Sequence, residues 1–437
     1  MEWYAATIII FGMLVLLITI GVPVAFSLGA VSVLTLVVGG KLSLLPAMAH
    51  TAWGATNVFV LAAAAGFILM SEVLSNTPLG RKLFEAAYAW IERLPGSLMV
   101  VTVWVSAILG AISGTGVGVA AITGRIAVPE MEKRGYQIEL ATGTVAASSA
   151  LGMVIPPSLP LIIYGFVTEL SVGKLFMAGV IPGLLMATVY SAYVVARVRK
   201  NPSLAPRATS GAITWKWRFS RIPGTAPLFA LIALTIGGIY LGWFTATEAA
   251  AMGAIGAMIL ALGMGSLTAS NLWTTLKNTA VTTGMILMII VGAMLFGYVL
   301  AVMQIPQALS AWVIGLGVNR WFVFIAIHVV LLILGMFLEV SSIILITMPI
   351  LYPVSVALGF EPYWFAITVL INMCAAVVSP PMGLCVYVVK GICPHVEMAV
   401  IFRGVVPYVG LAMVVLLILA LFPDLATWLP RTMMGGL

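Results

Sequence analysis

Two apolar stretches of the chain carry small polar residues at their centres. A Ser-Gly-Thr triplet at 113–115 interrupts the stretch 97–130, and Glu-Val-Ser-Ser at 339–342 interrupts the stretch 320–353. Gly and Ser in the middle of an apolar run favour a turn. We therefore predict two helical hairpins whose tips present hydroxyl and carboxylate oxygens, the donors that suit a small hard cation.

Consecutive prolines interrupt two further stretches, 137–168 at Pro156-Pro157 and 362–389 at Pro380-Pro381. Each pair removes two amide donors and clashes with carbonyls one turn back, so backbone carbonyls lose their helical partners. The freed carbonyls are expected near Gly152, Ile155, Ala376 and Ser379. Such carbonyls suit Na⁺, whereas the N-terminal ends of the half-helices suit an anion. The pattern predicts two cation sites around an anion site.

Two charged residues within the predicted hairpins have alternative interpretations. Glu339 lies at the second tip and is either a ligand, as intramembrane acids often are, or a cap of the helix that follows. Arg125 lies on the second arm of the first hairpin, where it either pairs with a substrate carboxylate or extends to the lipid interface.

The composition excludes a soluble protein. Of 437 residues, 62% are hydrophobic and 8% are charged, against roughly 25% charged in soluble domains. The single Asp, the absence of a Gly-Lys-Ser/Thr loop and three scattered His argue against ATP hydrolysis, a metal centre or an enzyme active site. We expect an all-α polytopic membrane protein with no cofactor and no nucleic-acid partner, surrounded by the lipid bilayer.

The chain repeats itself at one fixed offset, so that position i of the first half corresponds to position i + 224 of the second half. Four features coincide at this offset, and they are Gly29-Ala30 with Gly253-Ala254, Pro129 with Pro353, Gly135-Tyr136 with Gly359-Phe360, and Pro156-Pro157 with Pro380-Pro381. We predict a first repeat at 1–196, a basic cytoplasmic connecting loop at 197–221 and a second repeat at 222–437. Each repeat reads as about five transmembrane crossings plus one re-entrant hairpin, and the odd number of crossings places the second repeat upside down.

The distribution of basic residues sets the expected orientation. With the 197–221 loop in the cytoplasm, sixteen Lys and Arg fall on that side and four on the other, as the positive-inside rule requires. Both termini are then expected in the periplasm. The four basic residues on the outer side are Lys41, Lys174, Arg320 and Arg431.

Taken together, the motifs resemble the large membrane subunit of TRAP transporters, the tripartite ATP-independent periplasmic family, whose M subunit is DctM-like. The resemblance rests on motifs in order along nearly the whole chain. They are Ser113-Gly114-Thr115, Pro129-Glu130-Met131, Gly135-Tyr136, Gly152 to Ser158, Thr247-Glu248-Ala249-Ala250, Met336 to Glu339, Pro349 to Pro353, Asn372, and Ser379 to Gly383. Gly116, Val119 and Arg125 depart from the usual pattern.

The resemblance implies an elevator-type transporter of the bacterial inner membrane that imports an organic acid, such as a C4-dicarboxylate, a sugar acid or sialic acid, together with Na⁺. It implies two partners, a small four-helix membrane subunit (Q) and a periplasmic substrate-binding protein (P). One implied cation site uses Ser113, Thr115, Gly152, Ile155 and Pro157. The other uses Ala376, Ser379 and Met382. Candidate substrate contacts are Ser158, Glu339, Ser341, Asn372 and Arg125.

Two alternatives remain open from the sequence. The first is a stand-alone Na⁺-coupled dicarboxylate symporter with a similar inverted-repeat plan, which would need no partners. The second is an intramembrane enzyme, against which the lack of paired Asp or of a Ser/His/Asp set argues.

Overall fold

The computed structural model describes residues 3–206 and 214–433, and every regular element in these ranges is a helix. The prediction of an all-α membrane protein is confirmed. The helices up to the connecting segment are α1 Trp3–Thr19, α2 Val24–Val38, α3 Leu45–Thr56, α4 Val60–Ser75, α5 Leu79–Ile91, α6 Ser97–Ser113, α7 Gly116–Lys133, α8 Ile138–Ser149, α9 Leu159–Thr168 and α10 Val172–Lys200.

The remaining helices run from the connecting segment to the end of the described chain. They are α11 Trp215–Arg221, α12 Ala226–Ile232, α13 Gly238–Tyr240, α14 Ala246–Gly263, α15 Ala269–Val302, α16 Ile305–Gly315, α17 Arg320–Gly335, α18 Val340–Ala357, α19 Pro362–Ala376, α20 Leu384–Ile392, α21 Met398–Leu421 and α22 Asp424–Met433.

Helix bounds and backbone angles recur at the offset seen in the sequence. Helices α7 and α18 begin and end at equivalent positions of the two repeats, and α8 and α19 begin at equivalent positions. Gly135 and Gly359, which follow α7 and α18, both have φ +74°, and both Pro-Pro bonds are cis. A left-handed residue after a helix favours Gly because a Cβ would be strained there. The two halves therefore share local structure as well as sequence.

The described parts of the predicted loop 197–221 are partly helical. Helix α10 continues to Lys200 and α11 occupies Trp215–Arg221, while Arg207 lies outside the described residues. Arg197, Arg199 and Lys200 form the last turn of α10, where cations stabilise the partial negative charge of a helix C-terminus. Basic residues that we interpreted as loop thus extend a helix.

Few single helices have the length and apolarity of a full membrane span. Five helices in the described ranges are long and apolar enough to cross a membrane. The number rises to seven if each of two bent helix pairs is counted as one span. Others, such as α1 and α2, are apolar but shorter than the ~20 residues that cross the hydrocarbon core. The hairpin arms α6 and α17 and the halves of the broken helices are also short because turns and prolines divide them, whereas the arm α18 is one of the five. The number of ten crossings stays a prediction.

The two halves interlock. Helix α4 packs on α14, α2 on α15, α8 on α21 and α9 on α18. Small residues allow this close approach: a Cβ on Gly66 would lie 2.9 Å from the Ala250 Cβ. Gly143 and Gly404 meet backbone to backbone between α8 and α21. The hairpins and broken helices are thereby enclosed by elements of both halves.

Candidate functional site

The first hairpin turns at Gly114, between α6 and α7. Gly114 has φ +63°, a conformation that favours glycine. The Thr115 hydroxyl accepts a hydrogen bond from Gly118 N at 3.3 Å and caps α7, and the hydroxyls of Ser113 and Thr115 are 3.2 Å apart. Two hydroxyls and the adjacent backbone thus share one tip, as the sequence predicted for a turn.

The first Pro-Pro break lies against this tip. After α8 the chain forms a 3₁₀ turn to Met153 and passes through Pro156-Pro157 before α9 begins. Leu159 N donates to the Gly114 carbonyl at 3.2 Å. The Pro157 carbonyl oxygen lies 3.0 Å from where a Cβ would stand on Gly114. The structure therefore brings the tip and the break together at the backbone level.

Glycine permits the close contact between hairpin arm and broken helix. A Cβ on Gly110 of α6 would lie 2.5 Å from the Gly152 Cα, and one on Gly152 would lie 3.4 Å from the Thr115 carbonyl oxygen. Ser113, Thr115, Gly152 and Pro157 thus lie close together. The Ile155 side chain packs instead against Gly183 of α10.

Ser158 has a structural role that its sequence position did not reveal. Its hydroxyl donates to the Met153 carbonyl and accepts from Leu161 N, and its side chain is fully buried. Ser158 therefore caps α9 and closes the break. The bond to Met153 uses the single donor of this hydroxyl, so it must be released before Ser158 can donate a hydrogen bond to a substrate.

The second tip is built around Glu339, which caps α18. Its carboxylate accepts hydrogen bonds from Ser342 N at 3.2 Å and from the Ser341 hydroxyl at 2.9 Å. Thr115 and Glu339 are equivalent positions of the two repeats, and both cap the second arm of their hairpin. Of the two interpretations of Glu339, the structure shows the cap.

The second break repeats the contact with its own tip. Met382 N donates to the Met336 carbonyl at 3.3 Å, and the Ser379 hydroxyl donates to the Ala375 carbonyl at 2.8 Å. The Ala376 Cβ packs on Gly335 at the end of the first arm. The three residues of the second implied cation site therefore follow one another around this break.

A small cavity of about 50 Å³ lies where the two tips and the two breaks meet. Five pairs of equivalent positions line it, and they are Thr115 with Glu339, Gly116 with Val340, Val117 with Ser341, Met153 with Val377, and Pro160 with Leu384. A cavity lined by equivalent positions of two repeats lies on their symmetry axis. Met153, Val377 and Leu384 were not among the predicted site residues, although their positions beside the prolines at the repeat offset mark them.

A direct contact between equivalent positions also marks this axis. The Cys374 thiol donates to the Ala150 carbonyl at 3.1 Å, and the two residues are separated by the repeat offset itself. Two copies of one position can touch only where the symmetry axis passes. The cavity and this contact thus give two independent indications of the axis.

Asn372 lies on α19, in the core where this helix packs against α17. Its amide nitrogen donates to the His328 carbonyl at 2.7 Å, while its side-chain oxygen is buried with no hydrogen-bond partner among the described residues. A buried acceptor without a partner is costly. Asn372 is absent from the lining of the small cavity, so the structure does not bring it to the two tips.

Arg125 is separated from the other predicted substrate contacts. It follows Thr115 by ten residues of α7, about 15 Å of helix, and lines a different cavity beside α5. The structure therefore does not bring Arg125 to the tips, and its contact with a substrate carboxylate stays a prediction. The reason is helical geometry, because the side chain cannot cover so long a distance.

Comparison with known proteins places these features in a family. A family model described as "Tripartite ATP-independent periplasmic transporter, DctM component" matches residues 11–425. The chain is 34% identical over 376 residues to the C4-dicarboxylate TRAP transporter large permease protein DctM of Pseudomonas aeruginosa, which covers 85% of this chain and 86% of that protein. It is 31% identical over 429 residues to the sialic acid TRAP transporter large permease protein SiaM of Vibrio cholerae, with 98% of each covered.

A solved structure shares the fold. The crystal structure of the Alcanivorax borkumensis YdaH transporter, described as having an unusual topology, matches with a TM-score of 0.62 and 14% identity. The match covers 88% of this chain and 89% of that one. At this identity the likeness concerns the fold alone.

Proposed function

We propose that this chain imports an organic acid driven by a Na⁺ gradient, because it belongs to the DctM family of tripartite ATP-independent periplasmic (TRAP) transporters. The family match confirms the resemblance found in the motifs, and the chain is a large permease subunit. The proposal has three further parts: the cargo is a carboxylate, its transport is coupled to Na⁺, and the protein moves as an elevator.

The convergence of four helix N-termini on one cavity is the observation that supports an anionic cargo. The first turns of α7, α9, α18 and α20 line it, through Gly116, Pro160, Val340 and Leu384. A helix N-terminus carries a partial positive charge, so an anion is stabilised there, although the first N–H groups of α9 already bond to Gly114 and Ser158. A carboxylate bound at this junction would interact with the ends of four half-helices at once. We propose Ser341 as a polar contact to the cargo's carboxylate, and Glu339, whose carboxylate only accepts hydrogen bonds, as a contact to a hydroxyl or other donor group of the cargo.

The donors for Na⁺ are proposed to be oxygens of the tips and breaks. At the first site these are Ser113, Thr115, Gly152, Ile155 and Pro157, and at the second Ala376, Ser379 and Met382. The hydroxyl pair Ser113–Thr115 and the nearby Pro157 carbonyl support the first set. Hard oxygen donors without thiolate or imidazole suit a hard monovalent cation.

The small size of this cavity supports the proposal that part of the protein moves during transport. At about 50 Å³ it is far smaller than the roughly 300–1,000 Å³ of ordinary ligand pockets. A dicarboxylate can enter only if the enclosing helices separate. We propose an elevator movement of the hairpins and broken helices, α6–α10 with α17–α22, against the remaining helices as a scaffold. Each of the two inverted repeats would contribute helices to both bodies.

The proposed setting is the bacterial inner membrane, with the connecting segment in the cytoplasm and both termini in the periplasm. A periplasmic binding protein would deliver the cargo, and a small membrane subunit would complete the scaffold. The family's tripartite description supports both partners.

Uptake into lipid vesicles tests the proposal. With the permease, the small subunit and the binding protein present, an inward Na⁺ gradient should drive accumulation of the carboxylate that the binding protein carries. The permease alone should be inert, and an equal K⁺ gradient is the control. Accumulation without the binding protein would overturn the tripartite assignment and favour the stand-alone symporter.

A further inference from the structure

A second cavity of about 460 Å³ lies between α5 and the second arm of the first hairpin, α7. Charged residues dominate its lining, and they are Arg81, Glu85, Arg125, Glu130, Lys133 and Arg134. Four are basic and two are acidic. The cavity is therefore net positive and separate from the junction of the tips.

Both acids of this cavity already have partners. Glu85 pairs with Arg81 at 3.4 Å and with Arg221 of α11 at 2.8 Å, and Glu130 pairs with Arg134 at 2.6 Å. In contrast, the side chains of Arg125 and Lys133 have no ion pair or hydrogen bond within residues 3–206 and 214–433. The cavity thus holds two unneutralised cations on one helix. An anionic group would complete it.

An exposed aromatic cluster lies on α5 and α11, the two helices that the Glu85–Arg221 ion pair joins beside this cavity. Trp90, Trp215 and Phe219 pack on one another with ring centroids 5.7–6.2 Å apart. They nevertheless remain exposed, by 43%, 65% and 56%. Exposed aromatic side chains beside basic residues are typical of helices at the boundary between headgroups and acyl chains.

We propose that the headgroup phosphate of an anionic phospholipid occupies the cavity between α5 and α7. Arg125 and Lys133 bind the phosphate, and the acyl chains lie along Trp90, Trp215 and Phe219. A free anion would use the cations but not the aromatic cluster. A phospholipid matches both, and its negative charge complements the cavity.

The lipid would connect two parts of the fold. Helix α7 belongs to the hairpin that lines the small central cavity, whereas α5 leads from α4 into that hairpin. A headgroup between them holds the base of the hairpin at the level of the leaflet surface. The inference does not depend on the cargo or on Na⁺, so it can fail while the transport proposal stands.

Native mass spectrometry of the full chain tests this assignment. The protein is released from membranes that contain equal amounts of phosphatidylglycerol and phosphatidylcholine. Wild-type protein should retain phosphatidylglycerol preferentially, and Arg125→Gln/Lys133→Gln should reduce that retention at least fivefold. Arg403→Gln, a charge change on α21 away from the cavity, is the control and should retain lipid as wild type does. Equal retention by the double variant and wild type would overturn the proposal.

Further variants and competing anions distinguish a phospholipid from a free anion as the occupant of the cavity. Trp215→Ala should also lower phosphatidylglycerol retention, by about twofold to threefold, because it removes acyl-chain contact and no charge. Arg125→Lys should retain most lipid. If millimolar inorganic phosphate displaces the lipid completely, the site is a free-anion site and the lipid assignment falls. Displacement by succinate would assign the cavity to a carboxylate cargo instead. If the double variant does not fold, Lys133→Gln and Trp215→Ala carry the same test.

Discussion

The hydroxyl of Ser113 donates to the Thr115 carbonyl at 3.4 Å and does not cap a helix. It lies 3.2 Å from the Thr115 hydroxyl, and Thr115 alone caps α7. We predict that Ser113→Ala raises the Na⁺ concentration for half-maximal uptake about tenfold, equivalent to ~1.4 kcal/mol, because one cation donor is lost. The measurement is uptake against Na⁺ concentration in vesicles with all three components.

Ser106→Ala is the matched control for this variant. Ser106 lies on the same helix two turns earlier and bonds to Ser148 at 3.0 Å, so its loss affects packing but no proposed Na⁺ donor. Ser379→Ala should behave as Ser113→Ala does at the second site. Unchanged Na⁺ activation in both Ser113→Ala and Ser379→Ala would refute the placement of the cation sites.

Glu339 offers a test of capping against other roles. Because the equivalent Thr115 caps α7 with a hydroxyl, Glu339→Thr should keep the cap of α18 and change the unfolding free energy little. Glu339→Ala should cost about 1 kcal/mol, the usual value of an N-cap. Thermal unfolding of the purified protein distinguishes the two. If Thr destabilises as much as Ala, the carboxylate does more than cap the helix.

At the scale of elements, the approach of α6 to the first break depends on a pair of glycines. In Gly110→Ala the new Cβ would meet the Gly152 backbone at 2.5 Å, and backbone cannot yield as a side chain can. We predict a loss of about 1–3 kcal/mol, typical of overpacking, together with loss of uptake.

Gly284→Ala is the control, because a Cβ there meets no atom within 4 Å and Ala is favoured over Gly in a helix. Melting temperatures of the two variants in one detergent give the comparison. A wild-type melting temperature for Gly110→Ala would mean that the hairpin and the break are not held as the structure has them.

The sequence predicted the hairpins and the breaks closely, since Gly, Ser and Pro act on the local backbone. The second arm of the first hairpin was expected to end near residue 130 and ends at Lys133. The capping roles of Ser158 and Glu339 were harder to predict, because a side chain that caps and one that binds a ligand have the same sequence signature. The position of Arg125 could not be read from residue type, since it depends on which helix packs beside α7.

The residues that line the central cavity illustrate the same limit. Met153, Val377 and Leu384 are apolar and do not differ in type from residues of the core. Only the meeting of the two halves distinguishes them. That meeting is a property of tertiary packing, which the repeat offset indicates but does not specify.

At the scale of the whole molecule, the orientation can be tested by labelling. Ser203 in the connecting segment and Val318 before α17 are both exposed, and the three native cysteines are buried. With a membrane-impermeant maleimide, Ser203→Cys should react only in inside-out vesicles, and Val318→Cys only in right-side-out ones. Wild-type protein is the control and should label weakly. Labelling of both variants from the same side would contradict the proposed topology.

The interlocked halves also have a consequence for how the protein is made. The partners of α2, α4, α8 and α9 are α15, α14, α21 and α18, all of which leave the ribosome after the first half is complete. At roughly 5–20 residues per second, the chain from Lys200 to Leu421 takes about 10 to 45 s to synthesise. During that time the first half must wait in the bilayer with its break uncovered. We therefore expect the unfinished subunit to be accessible to membrane chaperones and quality-control proteases in this interval, which ends only when α21 inserts against α8.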